Sequence, residues 1–290
     1  MIAAIRGAAA RRQRLVALAA LIALALPARP ALAWDSGFHR MITRLAVNAL
    51  APGPLKQAFS ANLSNLEYQS VEPDLLRAAG DKAEGRRHYI DLEYYGSDPF
   101  AALDQSESAM VQRFGARTLM KSGTLPWTIE RDSEALADAW RSGDCRTVFK
   151  LAGYVSHYVA DASQPLHTTI HFDGYPEDRG MHQRLERAAD NYVPEIERQA
   201  APRVRVEEIT TVWTPVIAEL RASHALVPRV IAADRSGRSA AGSSGEFDRM
   251  LMQDERGWIV NQAASAASVL ASIWQFEWRR AGHRSICAHD

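Results

Sequence analysis

His157-Tyr158-Val159-Ala160-Asp161-Ala162-Ser163-Gln164-Pro165-Leu166-His167 is the stretch that decides how this chain is read. Its first half closes an apolar segment, Arg146 to Ala162, whose periodicity predicts a helix. On such a helix His157 and Asp161, four residues apart, project from one face. Pro165 suits the first turn of a new segment, with Ser163 or Gln164 as its cap. His182 and Glu186 repeat the four-residue spacing inside a second predicted helix, His182 to Ile196. A histidine and a carboxylate one turn apart are how helices present nitrogen and oxygen ligands to one metal ion. His88 in Arg-Arg-His-Tyr-Ile-Asp, Asp74 in Val-Glu-Pro-Asp, and His39 are further candidates. Spacing alone leaves both a metal site and solvated surface pairs open. His171, four residues after His167, is a candidate supporting residue, whereas His224, His283 and His289 are expected at the surface.

Outward from this centre the texture stays helical. Phe38 to Leu50, Asp132 to Arg141, Val206 to Leu220 and Glu255 to Arg280 carry apolar residues at helical spacing, and no long segment alternates as a strand would. Pro and Gly cluster at 51–54, 122–126, 173–180 and 234–245, which predicts loops. The last, Asp234 to Gly245, is rich in Ser, Gly and Arg and reads as a mobile excursion. The composition, 47% apolar and 23% charged over 290 residues, excludes wholesale disorder. Two cysteines exclude a disulfide-framework scaffold and a Cys-rich zinc finger. The expectation is all-α, a single multi-helix domain over 34–290.

Residues 1–33 read as an address. Arg6, Arg11, Arg12 and Arg14 precede the apolar run Leu15 to Leu26, and Ala31-Leu32-Ala33 offers a small-x-small cleavage site. The run is shorter than the about 20 residues a bilayer span needs. The expectation is a secretory signal peptide cut between Ala33 and Trp34, giving a secreted or periplasmic protein with no later transmembrane segment. Export permits a Cys145–Cys287 disulfide, which the sequence leaves open. The formal charge of zero also changes on cutting. Five arginines and no acid leave with residues 1–33, so 29 basic residues face 34 acidic ones, net −5. That balance is weakly against a basic, strand-tracking groove.

His-Tyr-x-x-Asp-x-x-Gln-Pro-Leu-His, the Trp34 expected at a mature N-terminus, and His-x-x-x-Glu further on resemble the superfamily of zinc-dependent phospholipases C and S1/P1 nucleases. The resemblance runs from Trp34 to Glu186. It implies an all-α fold with a cleft holding Zn2+ (three ions). In that case Trp34 would bind one ion through its α-amine and carbonyl oxygen, joined by His39. Asp161 would bridge this ion and a second, also held by Asp74, His88 and His157. The third would take His167, His182 and Glu186. The implied chemistry is hydrolysis of a phosphate ester by metal-activated water, with Asp74 orienting that water or taking its proton.

The two branches leave different marks. The five-residue gap from Trp34 to His39, and His88-Tyr-Ile-Asp91, look like the nucleases. Glu72-Pro-Asp74 and Gly180-Met-His182-x-x-x-Glu186 look like the phospholipases C. The implied partner is a phosphodiester, phospholipid or single-stranded nucleic acid, and the sequence leans to the phospholipid. Tyr89, Tyr94, Tyr95, Tyr154 and Tyr175 are candidate base platforms under the nuclease reading. Trp274, Phe276 and Trp278 suit a membrane interface or, preferably, a packed C-terminal helix. A non-catalytic, zinc-stabilised binding protein is a remote third reading. No protein partner is evident.

Overall fold

A computed structural model describes residues 36–282. The expected signal segment, its cleavage site, Trp34, Cys287, His283 and His289 lie outside the described residues. Helices and short 3-10 turns account for the regular structure, and there is no strand among the described residues. The helices that build the core and the cleft are α1 (Ser36–Ala49), α2 (Leu63–Gln69), α3 (Glu72–Ala78), α4 (Leu125–Ser142), α5 (Cys145–Ala162), α6 (Met181–Asn191), α7 (Trp213–Ala225), α8 (Val227–Ala240) and α9 (Ser244–Arg280).

Helix α5 forms because its apolar residues recur on every side and Asp144 caps it, accepting from Thr147 N at 3.1 Å. A helix apolar all round belongs in the middle of a protein. From Ala152 to Ala162 every α5 residue is buried, between α1, α2, α4 and α9. Gly153 is where α2 crosses: a Cβ there would stand 2.2 Å from the Gln69 Cβ. The 37-residue α9 covers the other side of the core. Trp274 is fully buried on it and donates to Ala152 O at 3.2 Å, so the aromatic C-terminal segment is a packed helix.

Three sequence expectations need correction. His182 to Ile196 is not one helix: α6 ends at Asn191 and a new helix, Val193–Ala200, follows, because Pro194 has no N–H to continue the ladder. Val206 to Leu220 is helical only from Trp213. Its first part runs irregularly along α9, where Ser268 and Ser272 hydroxyls accept from the Arg205 and Glu207 amides.

The third correction is at Asp234 to Gly245, whose first seven residues belong to α8 rather than to a mobile loop. Asp234 and Arg238 pair one turn apart, and Arg184 clamps Asp234 from α6 with two bonds of 2.7 and 2.8 Å. Arg235 and Arg238 both reach Asp178, and these guanidiniums hold its carboxyl down to about 2. Gly237 lies against the Phe247 ring, which leaves no room for a side chain. Composition read this segment as slack, but the charges have partners on other elements.

Candidate metal centre

Helix α5 carries His157 and Asp161 into the core, and both are fully buried. The chain then turns at Ser163. Gln164 caps the next turn, accepting from Leu166 N at 2.8 Å, and this sets His167 beside the same cluster. His39 comes from the first turns of α1, Asp74 from the first turn of α3, and His88 from a 3-10 turn. His182 and Glu186 project from α6.

Three groups result. Ligand atoms of His39, His157 and Asp161 lie within 4.8 Å of one another, as do those of Asp74, His88 and His157, and those of His167, His182 and Glu186. The two Asp161 oxygens face different neighbours. Oδ2 lies 3.1 Å from His88 Nδ1 and 3.3 Å from His157 Nε2, while Oδ1 lies 3.8 Å from His39 Nε2. Asp74 sits opposite, with Oδ2 3.9 Å from His39 Nε2 and Oδ1 3.7 Å from His88 Nδ1. The third group is tighter: His182 Nε2 lies 2.7 Å from Glu186 Oε1 and 3.3 Å from His167 Nε2.

This donor set fits cations. Imidazole nitrogens face each other at 2.9 Å between His157 Nε2 and His88 Nδ1, a convergence of lone pairs that one positive ion would satisfy. Asp161 Oδ1 and Asp74 Oδ1 are buried and accept no hydrogen bond, although Arg77 Nη2 stands 3.1 Å from the latter. Buried carboxylates are costly without a compensating charge. Five imidazoles and three carboxylates without thiolate are the ligand chemistry of zinc.

The outer nitrogens are also held, which fixes which nitrogen faces the cluster. His157 Nδ1 donates to Ser70 O at 2.8 Å and His167 Nδ1 to His88 O at 2.7 Å. Glu84 stands 3.4 Å from His88 Nε2 and also accepts from the Tyr158 hydroxyl. Gln164 Nε2 donates to Glu186 Oε1 at 2.9 Å. Burial opposes the charge on Asp161, yet the surrounding histidines hold its carboxyl well below the usual range. Burial also opposes the charge on His88, but Asp161 and Glu84 hold its imidazole up at about 9. For Asp74 burial prevails over His157, His88 and Arg77, and its carboxyl is pushed up.

A cleft of about 290 Å3 opens onto the cluster, lined by Arg77, His88, Tyr89, His167, Phe172 and His182. Asp91 lines it too, and burial with Glu93 nearby pushes its carboxyl up to about 7. Sequence reasoning missed Arg77, Glu84 and Ser70. Only Glu84 carries a readable signal, since it stands one helical turn before His88. His171 is absent from the three groups and stacks on Tyr175 at 4.5 Å. His224 is not a surface residue: it is half-buried, with Nδ1 3.1 Å from Thr168 O. Of the tyrosines, Tyr95 and Tyr154 are core, Tyr94 and Tyr175 are exposed, and Tyr89 reaches the cleft.

A family model described as zinc dependent phospholipase C matches residues 38–218, more than half of the chain. The chain belongs to that family. Membership of the family makes it a hydrolase of phosphoric esters, and all eight described donors lie within the matched span. No curated protein matches it. Its structure is similar to that of the alpha-toxin of Clostridium perfringens isolated from avian strain SWCP. The TM-score is 0.52 and the identity 17%, covering 89% of this chain and 67% of that one. It is also similar to the alpha toxin of Clostridium absonum, with a TM-score of 0.50 and 12% identity over the same shares of each chain. At such identities the likeness is one of fold.

Proposed function

We propose that this chain is an exported phospholipase C that cleaves the bond between glycerol oxygen and phosphorus in phospholipids. Water adds to phosphorus, that bond breaks, the glycerol oxygen takes a proton, and the products are diacylglycerol and a phosphorylated head group. One observation carries the reading. The Asp161 carboxylate faces two neighbouring donor groups with separate oxygens, and a cleft of head-group size opens onto them.

Three zinc ions are assigned. His39, Asp161 and the α-amine and carbonyl of Trp34 would hold one. Asp74, His88, His157 and Asp161 would hold the second, and His167, His182 and Glu186 the third. When bound, zinc activates the attacking water and offsets charge growing on the phosphate oxygens. The chain's own groups do the rest. Asp74, at the junction of the first two groups, orients the water and accepts its proton. Arg77, lining the cleft and holding Asp74 Oδ1, faces the phosphate. Ser70, Glu84 and Gln164 keep the ligand rings and carboxylate from rotating.

Residues 1–33 are assigned as the signal peptide and 34–290 as the hydrolase, released to the periplasm or outside the cell. The test uses the chain started at Trp34 and loaded with zinc. It is given phosphatidylcholine vesicles and single-stranded DNA side by side, with and without chelator. Chelator-sensitive release of phosphocholine is expected. Release of nucleotides with no phosphocholine would overturn the phospholipid reading in favour of a nuclease. Zinc binding without hydrolysis of either would leave a zinc-stabilised binding protein.

A further inference from the structure

The surface around the cleft is unusual in one respect. Of the large apolar side chains that stand exposed, five fall in two short segments, Leu75 and Leu76 on α3 and Ile170, Phe172 and Tyr175 after His167. Each segment reaches the cleft through one residue, Arg77 on the first side and Phe172 on the second. Leu75 directly follows Asp74, and Arg77 from the same helix lines the cleft together with Phe172. The Phe172 ring is 6.1 Å from the His182 ring, so the apolar surface begins at the third donor group.

These side chains are held out rather than left loose. Glu93 accepts from Ile170 N at 3.0 Å, and Asp178 accepts from Tyr175 N at 3.0 Å. Asp173 accepts from Gly180 N and His182 N. Tyr175 is further fixed between His171 and the Arg235 guanidinium, 5.4 Å above its ring. A loop tied down this firmly displays Phe172 at 55% exposure. Exposed apolar side chains grouped beside a cleft point to an interaction site.

Size says what interacts there. A cleft of about 290 Å3 is at the lower end of pockets that enclose a drug-sized ligand. It has room for a phosphorylated head group and none for two acyl chains. The chains must stay outside, and the exposed apolar rim is what they meet. No helix among the described residues is long and apolar enough to cross a membrane, so contact with lipid through this face is peripheral.

Resting on the phospholipase reading, we propose that Leu75, Leu76, Ile170, Phe172 and Tyr175 form a lipid-surface docking rim. It seats the cleft on a phospholipid bilayer so that the head group enters from the membrane side. Tyr175, amphipathic and backed by Arg235, occupies the head-group level, and Phe172 reaches the acyl boundary.

The test compares the zinc-loaded chain with its Ile170→Ser and Leu75→Ser variants, at two rim positions that do not line the cleft. Each is given phosphatidylcholine vesicles and, separately, a short-chain phosphatidylcholine kept below its micelle concentration. Each variant should lose about tenfold or more in kcat/KM on vesicles, the scale of one large side chain left in water. On the monomeric substrate both should stay within about twofold, which also shows that they fold. Equal losses on both substrates, or none on vesicles, would overturn the rim. Flotation with the same vesicles reads the rim apart from catalysis: the parent chain should float and the variants should not. A parent that floats yet hydrolyses neither lipid keeps the rim and sinks the phospholipase reading. A parent that is dimeric by size exclusion, and monomeric as Ile170→Ser, would make this a face between copies and overturn the lipid assignment.

Discussion

Asp161 Oδ2 lies 3.1 Å from His88 Nδ1, although 73 residues separate the two in sequence. One comes from the buried helix α5 and the other from a short turn, and the contact ties the two elements together. Its partner oxygen faces His39. A carboxylate in this position serves two donor groups at once, which an amide cannot do with both of its atoms. Asp161→Asn keeps the volume and replaces one acceptor by a donor. It should lose bound zinc, measured by metal analysis. Hydrolysis should fall by more than the about 10–100-fold expected for an outer partner. A variant with full metal and full activity would remove Asp161 from the centre.

Metal removal should read out in stability as well. Ions that bind the native cluster and not the unfolded chain stabilise it by mass action, by about 4 kcal/mol at a thousandfold excess over Kd. Dialysis against a chelator is expected to lower the melting temperature, and added zinc to restore it. Identical melting curves before and after dialysis would mean that the donor groups bind nothing.

Glu84 makes the more discriminating case, because it does not face the three groups from inside. It stands 3.4 Å from His88 Nε2, accepts from Tyr158, and pairs with Arg87. Glu84→Gln keeps a hydrogen-bond acceptor and removes the charge that holds the imidazole. Zinc affinity should fall about 10–100-fold while the fold is retained. The measurement is a zinc titration beside a far-ultraviolet spectrum. Unchanged affinity would reduce Glu84 to a structural partner of Tyr158 and Arg87.

The donors were legible because helical spacing forces His157 with Asp161, and His182 with Glu186, onto common faces. The meeting of those faces was not legible from spacing. It depends on α5 being buried on all sides and on Gln164 turning the chain so that His167 returns to the cluster. The resemblance supplied that step. The outer partners stayed hidden for another reason. Ser70 contributes only a backbone carbonyl, which carries no residue-type signal, and Arg77 resembles any surface arginine until Asp74 is placed beside it. The segment after Asp234 was misread because Gly, Ser and Arg mark loops only where their charges lack partners, and here Asp178 and Arg184 supply them.

The N-terminal part of the proposal is testable without any view of Trp34 itself. Ser36 opens α1 two residues after it, and His39 sits in the first turn. Phe38 N donates to Asp190 Oδ1 at 3.0 Å, which anchors the start of α1 on α6, the helix of His182 and Glu186. A chain started at Trp34 should therefore place its α-amine near His39. One extra residue before Trp34 should weaken one zinc ion and leave the other two. Metal stoichiometry measured on both chains decides it, and equal stoichiometry under limiting zinc would exclude chelation by the terminus.

Glu219 gives the pH prediction that is independent of the metal. It is buried on α7, and its bond from Ser265 only partly offsets the burial that pushes its carboxyl up to about 7. The folded state thus holds this proton more tightly than the unfolded chain, whose glutamates titrate near 4.3. Where the native state binds more protons, stability falls as pH rises. The contribution is complete below about pH 4.3 and is lost as pH rises toward 7, by roughly 4 kcal/mol at most. Glu219→Gln has no proton to lose and can still accept from Ser265. Its melting temperature should match the parent near pH 4.5 and exceed it at pH 8. The metal cluster contributes equally to both chains, so the difference isolates this one carboxyl. Parallel curves across that range would show that Glu219 titrates normally and that its burial is relieved by solvent.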